Sequence, residues 1–180
     1  AEWRACARAG ACDALAGTAA PERADDAPVS ASHEQALQYV GWLNAVSRRD
    51  TYRLPSEAEW EHAARGGSGG RYAWGDVMLR DVAVCRSCAD GPAAPGPSDV
   101  RRHPPNDWGL YAMSGNLWEW TADCWDGQGG ACPSGLRVVK GGSWADGPLS
   151  LSIANRAPAR ESVPHPRIGF RVVATGPGPR

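Results

Sequence analysis

The sequence predicts an α+β domain, loop-rich, with two main helices and short antiparallel strands. Three observations carry that class. The composition pairs 9 Trp and a single Phe with 22 Gly and 15 Pro, which suits irregular segments packed by large flat side chains rather than long regular elements. Two serines stand three residues before a Gln or Glu, Ser32/Gln35 and Ser56/Glu59, and each pair has the spacing of a helix-opening capping box. The β-branched runs are few and short, at Thr51–Leu54, Val138–Lys140 and Ile168–Val173.

Taken in order, residues 1–12 read as a short helix with Trp3 and Ala7 on one side. The chain opens in what reads as a helix interior, so a preceding segment is expected. Residues 13–31, rich in Ala, Asp and Pro, read as a surface loop. Together 1–31 form an N-terminal helix and loop belonging to the same domain as 32–175, and 176–180 is a Gly-Pro tail. The helix opened by Ser32 places Ala36, Leu37, Val40 and Leu43 on one face. The helix opened by Ser56 runs to Arg65 with Trp60, Ala63 and Ala64 inward, and Gly66–Gly70 ends it. Tyr72–Pro105 is irregular. The stretch Gly141–Arg167 has little regular pattern, and a loop of that length inside a compact domain is usually functional.

At 180 residues the chain is one domain's worth of protein, and a formal net charge of −1 with interspersed signs excludes a phosphate-binding stripe, hence nucleic acid. No run reaches the ~18 apolar residues that span a bilayer. Six cysteines fall in three local pairs, Cys6/Cys12, Cys85/Cys88 and Cys124/Cys132. Even number and close spacing suit disulfides and an extracytoplasmic setting, periplasmic or cell-surface. The rivals are a zinc site built from Cys85, Cys88, Cys124 and Cys132 and, lowest, a redox Cys-Arg-Ser-Cys motif.

Segments in series carry a family signature. They are Tyr-Arg-Leu-Pro-Ser-Glu-Ala-Glu-Trp-Glu at 52–61, Tyr-Ala-Trp-Gly-Asp at 72–76 and Gly-Leu-Tyr-Ala-Met-Ser-Gly-Asn-Leu-Trp-Glu-Trp at 109–120. Val-Lys-Gly-Gly-Ser-Trp at 139–144 follows, with Ile-Gly-Phe-Arg at 168–171. Over residues ~33–174 this resembles the formylglycine-generating enzyme (sulfatase-modifying factor) family. The resemblance implies a C-type-lectin-like fold whose N-terminal strand would precede Ala1.

It also implies a chemistry. Enzymes of that family oxidise a substrate cysteine with copper(I) held by two thiolates, ligands soft enough for that ion. The thiolates follow the Gly-Gly-Ser-aromatic segment, where this chain reads Ala-Asp-Gly-Pro-Leu-Ser-Leu-Ser at 145–152. Asp146 and Leu151 stand at the two positions, so copper is not expected. An iron-dependent branch that makes sulfur–carbon bonds, the sulfoxide synthases, uses histidines of an additional domain; His33, His62, His103 and His165 show no matching pattern. The family also binds calcium near the Gly-Asn-x-Trp-Glu-Trp segment, which makes Gly115, Leu117 and Glu119 a calcium candidate. Ala112 stands where the family has an oxygen-bearing ligand there, Val84 stands where an Asn would serve another site, and calcium takes about 6–8 oxygens.

Several conspicuous residues have plain structural readings. Glu57, Glu59 and Glu61 read as a cap plus solvated charges, Trp118 and Trp120 as core with Glu119 tied to backbone amides, and Arg171 as an ion-pair member. Gly141-Gly142 reads as room for the backbone to pass Trp144. With the thiolates gone, the expected role is a non-catalytic binding or accessory module. It would contact a protein or small-molecule ligand through Trp144, Asp146, Leu149, Ser150, Asn155, Arg156 and His165. The alternatives are an enzyme of either branch, a variable protein of a diversity-generating retroelement, and a structural subunit of a periplasmic or cell-surface complex.

Overall fold

The computed structural model describes residues 2–13, 28–89, 96–127 and 132–176. Most of the 13–31 segment, the tail beyond 176 and a part of 72–105 therefore lie outside the described residues. Helices α1 (Glu2–Arg8), α2 (His33–Val46) and α3 (Glu57–Arg65) accompany six short strands: β1 (Thr51–Arg53), β2 (Trp118–Cys124), β3 (Leu136–Lys140), β4 (Arg156–Arg160), β5 (Ile168–Gly169) and β6 (Val173–Thr175). Strands β4-β3-β2-β5 form one sheet, antiparallel except for the parallel β2–β5 pair, and β1 pairs antiparallel with β6.

Both capping boxes form as the sequence predicts. Ser32 and Ser56 accept from the amides of Gln35 and Glu59, whose side chains accept in return from the serine amides. Helix α1 stops at Arg8, short of the predicted residue 12, because the chain turns back through Gly10 to join Cys12 to Cys6. On α2 the inward face is His33, Ala36, Tyr39 and Val40; Leu37, predicted inward, is 48% exposed. The core is largely aromatic: Trp3 stacks on Tyr39, Phe170 meets both edge-on, and Trp120 is fully buried with its indole N–H donating to the Ala31 carbonyl at 2.8 Å. Ala31 is thus interior, a correction to the surface loop predicted up to that residue.

Two strands are unpredicted. Strand β2 starts at the Trp-Glu-Trp segment and runs on to Cys124, and β4 contains Pro158, tolerated because this strand is at the sheet edge. The 141–167 stretch is accordingly less irregular than predicted, holding a 3-10 turn at Pro148–Leu151 as well as β4. The predicted strand Ile168–Val173 divides into β5 and β6, which pair with different partners.

Candidate functional site

Position 146 is the hub of the 141–167 region. The Ser-Trp-Ala-Asp turn brings the Asp146 carboxylate back onto Ser143, whose amide donates at 3.1 Å and whose hydroxyl donates to the same oxygen, Oδ2. That oxygen also accepts from the Trp118 indole Nε1 at 2.8 Å, while Arg167 Nη1 lies 3.9 Å from Oδ1. The Asp146 carbonyl accepts from the Arg86 amide at 2.9 Å, tying the turn to the Cys85–Cys88 loop. His165 accepts at Nδ1 from the Arg167 amide; burial first, then the Arg167 charge, holds its imidazole below the ordinary histidine range. Trp118, Ser143 and Arg167 escaped the sequence reading. Only the Ser-x-x-Asp spacing, typical of a local side-chain-to-backbone turn, hinted at one of them.

The other candidates divide. Leu149 is 75% exposed at the tip of the 3-10 turn. The half-buried Trp144 has a buried indole N–H with no hydrogen-bond partner among the described residues. Ser150 and Asn155 lock the turn, Asn155 Nδ2 donating to the Ser150 carbonyl at 3.0 Å. Arg156 lies on the other sheet edge, pairing with Glu57 at 2.9 Å and covering the Trp125 ring at 4.4 Å. Leu151 is fully buried and packs with Tyr72, Ala83 and the Cys85–Cys88 disulfide.

Three structural readings are corrected. Gly141 and Gly142, at φ 95° and 75°, make room for Trp60 and for the Ser150–Leu151 turn, not for Trp144: a Cβ on Gly141 would sit 3.0 Å from Trp60 Cζ2, and one on Gly142 2.8 Å from Leu151 Cδ1. Glu119 is held by side chains instead of backbone amides. Arg171 donates Nε to Oε2 at 2.5 Å and Nη2 to Oε1 at 2.7 Å, and Trp60 Nε1 donates to Oε2 at 2.6 Å. Glu57 and Glu61 are not solvated charges. One helical turn apart, they share a face and hold the fully buried Lys140 ammonium at 3.4 and 2.7 Å. Glu59 does cap, and its bidentate pair with Arg53 at 2.6 Å, then the Ser56 amide, lowers its carboxyl to about 2.

All six cysteines form disulfides, Cys6–Cys12, Cys85–Cys88 and Cys124–Cys132. A tetracysteine zinc site therefore does not form. The donor set does not fit copper(I) either: an anchored carboxylate and a buried leucine replace two thiolates. Nor does it fit calcium, since both Glu119 oxygens are taken by Arg171 and residues 84 and 112 offer no side-chain oxygen.

This α+β scaffold, with its sheet, capped helices and turn at 141–151, defines a class that comparison with known proteins identifies. The chain belongs to the family of the sulfatase-modifying factor enzyme 1-like domain, whose model matches residues 1–175. It is 32% identical over 182 residues to the formylglycine-generating enzyme of Mycobacterium tuberculosis, covering 85% of this chain and 58% of that protein. It is 37% identical over 138 residues to the inactive C-alpha-formylglycine-generating enzyme 2 of Bos taurus, covering 72% of this chain and 42% of that one. The chain thus spans about half the length of these relatives. The solved structure of PvdO from Pseudomonas aeruginosa aligns with a TM-score of 0.73 at 28% identity, over 92% of this chain and 68% of that one. Treponema denticola variable protein 1 shares the fold at a TM-score of 0.71 and 22% identity, over 93% of this chain and 77% of that one.

Proposed function

We propose that this chain is a non-catalytic binding module on a formylglycine-generating-enzyme-like scaffold, presenting the 141–167 surface to an extracytoplasmic ligand or protein partner. The observation that carries the reading is the fate of the two thiolate positions. Asp146 is built into a hydrogen-bonded turn, and Leu151 is sealed in the core behind it. The turn is thereby fixed from below while Leu149, 75% exposed, stands out from it; Val163, 50% exposed, follows β4 later in the same 141–167 stretch. A rigid turn presenting apolar side chains loses little freedom on binding. The match to a mammalian relative named as inactive supports a family in which the scaffold outlives the oxidation. Three disulfides support an extracytoplasmic setting.

The test is capture on immobilised protein of components from the envelope and secreted fractions of the source cells. A component bound at fixed stoichiometry should be lost with Leu149→Asp and Val163→Asp and retained with Leu37→Asp, which alters an exposed residue of α2. Retention by the first two variants would move the binding role off this surface.

A further inference from the structure

A second concavity lies outside the 141–167 stretch. The 72–84 segment and the 98–116 segment enclose a cavity of about 190 Å³, and none of residues 141–167 lines it. Val84 and Ala112 are both in its wall. Both stand where the resemblance implies oxygen-bearing side chains, so the wall there is apolar instead of a set of oxygen donors.

We propose that this cavity binds a small organic cation, an ammonium group carried on an apolar body about the size of one aromatic ring. Size comes first. A cavity of about 150 Å³ holds one benzene ring, so 190 Å³ admits a ring with one short substituent, below the range of roughly 300–1,000 Å³ usual for larger ligands. The wall supplies apolar contact from Val84, Ala112, Met113 and Trp74, the last already stacked on one face against Tyr72 with ring centroids 5.1 Å apart. Charge decides the class. Asp99 and Asp107 both line the cavity, and among the described residues no Lys or Arg does. His103, also lining it, is held below the ordinary histidine range, first by burial. Asp99 has one oxygen already taken by the Arg101 amide, and Asp81 outweighs Arg102 at His103. The two lining aspartates and Asp81 give the site a net negative balance that, beside Trp74, favours an ammonium over a neutral or anionic molecule of the same shape.

Three probes of matched shape test this by titration calorimetry and ligand-observed NMR: benzylammonium, benzyl alcohol and benzoate. Benzylammonium should bind roughly fivefold or more tightly than benzyl alcohol, and benzoate should not bind. Asp107→Asn, at an exposed position, should remove most of that preference without changing the thermal midpoint. Ala73→Leu, which fills the cavity, should abolish binding, with folding checked by circular dichroism. Leu149→Asp should leave benzylammonium binding intact, separating this site from the 141–167 surface. Equal binding of alcohol and ammonium, binding of none of the probes, or binding unaffected by Ala73→Leu in folded protein would each overturn the proposal.

Discussion

The Asp146 carboxylate accepts the Trp118 indole N–H at 2.8 Å, so a position that would carry a metal thiolate in an active relative is here a structural hydrogen-bond acceptor. The same oxygen holds the Ser143 amide, and Ser143 is fully buried. Asp146→Ala takes the acceptor from three donors, the Trp118 indole and the Ser143 amide and hydroxyl, and should cost about 1–3 kcal/mol in urea unfolding. A loss below a few tenths would mean the turn is not held by this residue.

Lys140 ends β3 beneath α3 with no solvent exposure, its ammonium shared by Glu61 and Glu57 and lying 5.9 Å from the Trp60 ring centroid. Breaking such a cluster by removing one partner costs more than the pair itself contributes. Lys140→Ala should destabilise by about 3 kcal/mol. Lys140→Met, which keeps the packing volume, should cost less. Equal losses in the two variants would show that the lost charge accounts for the whole effect and that packing adds nothing.

Gly141, at φ 95°, lies where a Cβ would be 3.0 Å from Trp60 Cζ2 and 3.2 Å from the Met113 carbonyl oxygen. Gly141→Ala should therefore cost about 1–3 kcal/mol and shift tryptophan fluorescence through Trp60. An unchanged spectrum and midpoint would contradict this packing.

His33 sits at the start of α2, its Nε2 3.2 Å from the Thr121 carbonyl oxygen and its ring edge-on to Trp120. Burial, reinforced by the Arg137 charge, lowers its pKa from 6.5 to about 4. The unfolded chain therefore takes up the proton first. The associated stability is full above pH 6.5 and drains as the pH falls towards 4, by about 3 kcal/mol at ~1.4 kcal/mol per pH unit. His33→Phe should flatten the stability curve in that window; an unchanged slope would place the titration elsewhere.

What the sequence revealed depended on the range of each interaction. The capping boxes at Ser32 and Ser56 are local, and both formed where three-residue spacing placed them. Strand β2 was hidden because Trp118–Cys124 is covered on most of its length, so its burial does not alternate. Strand β4 was hidden by Pro158. The Lys140 cluster joins residues about 80 positions apart, at 57, 61 and 140, and the Asp146–Trp118 bond crosses between β2 and the turn after β3. Neither leaves a periodic trace. The replaced thiolate positions were legible because the Gly-Gly-Ser-Trp motif fixes their register. What surrounds them, and the cavity between the 72–84 and 98–116 segments, was not.

The most direct measurement is mass spectrometry of a cysteine-containing sulfatase-type peptide incubated with the purified protein, copper(I) and oxygen, beside an active relative. The expected result is conversion of the cysteine to the aldehyde by the relative and an unchanged peptide with this protein. The thiol-to-aldehyde mass loss at a rate above the copper-only control would contradict the non-catalytic reading.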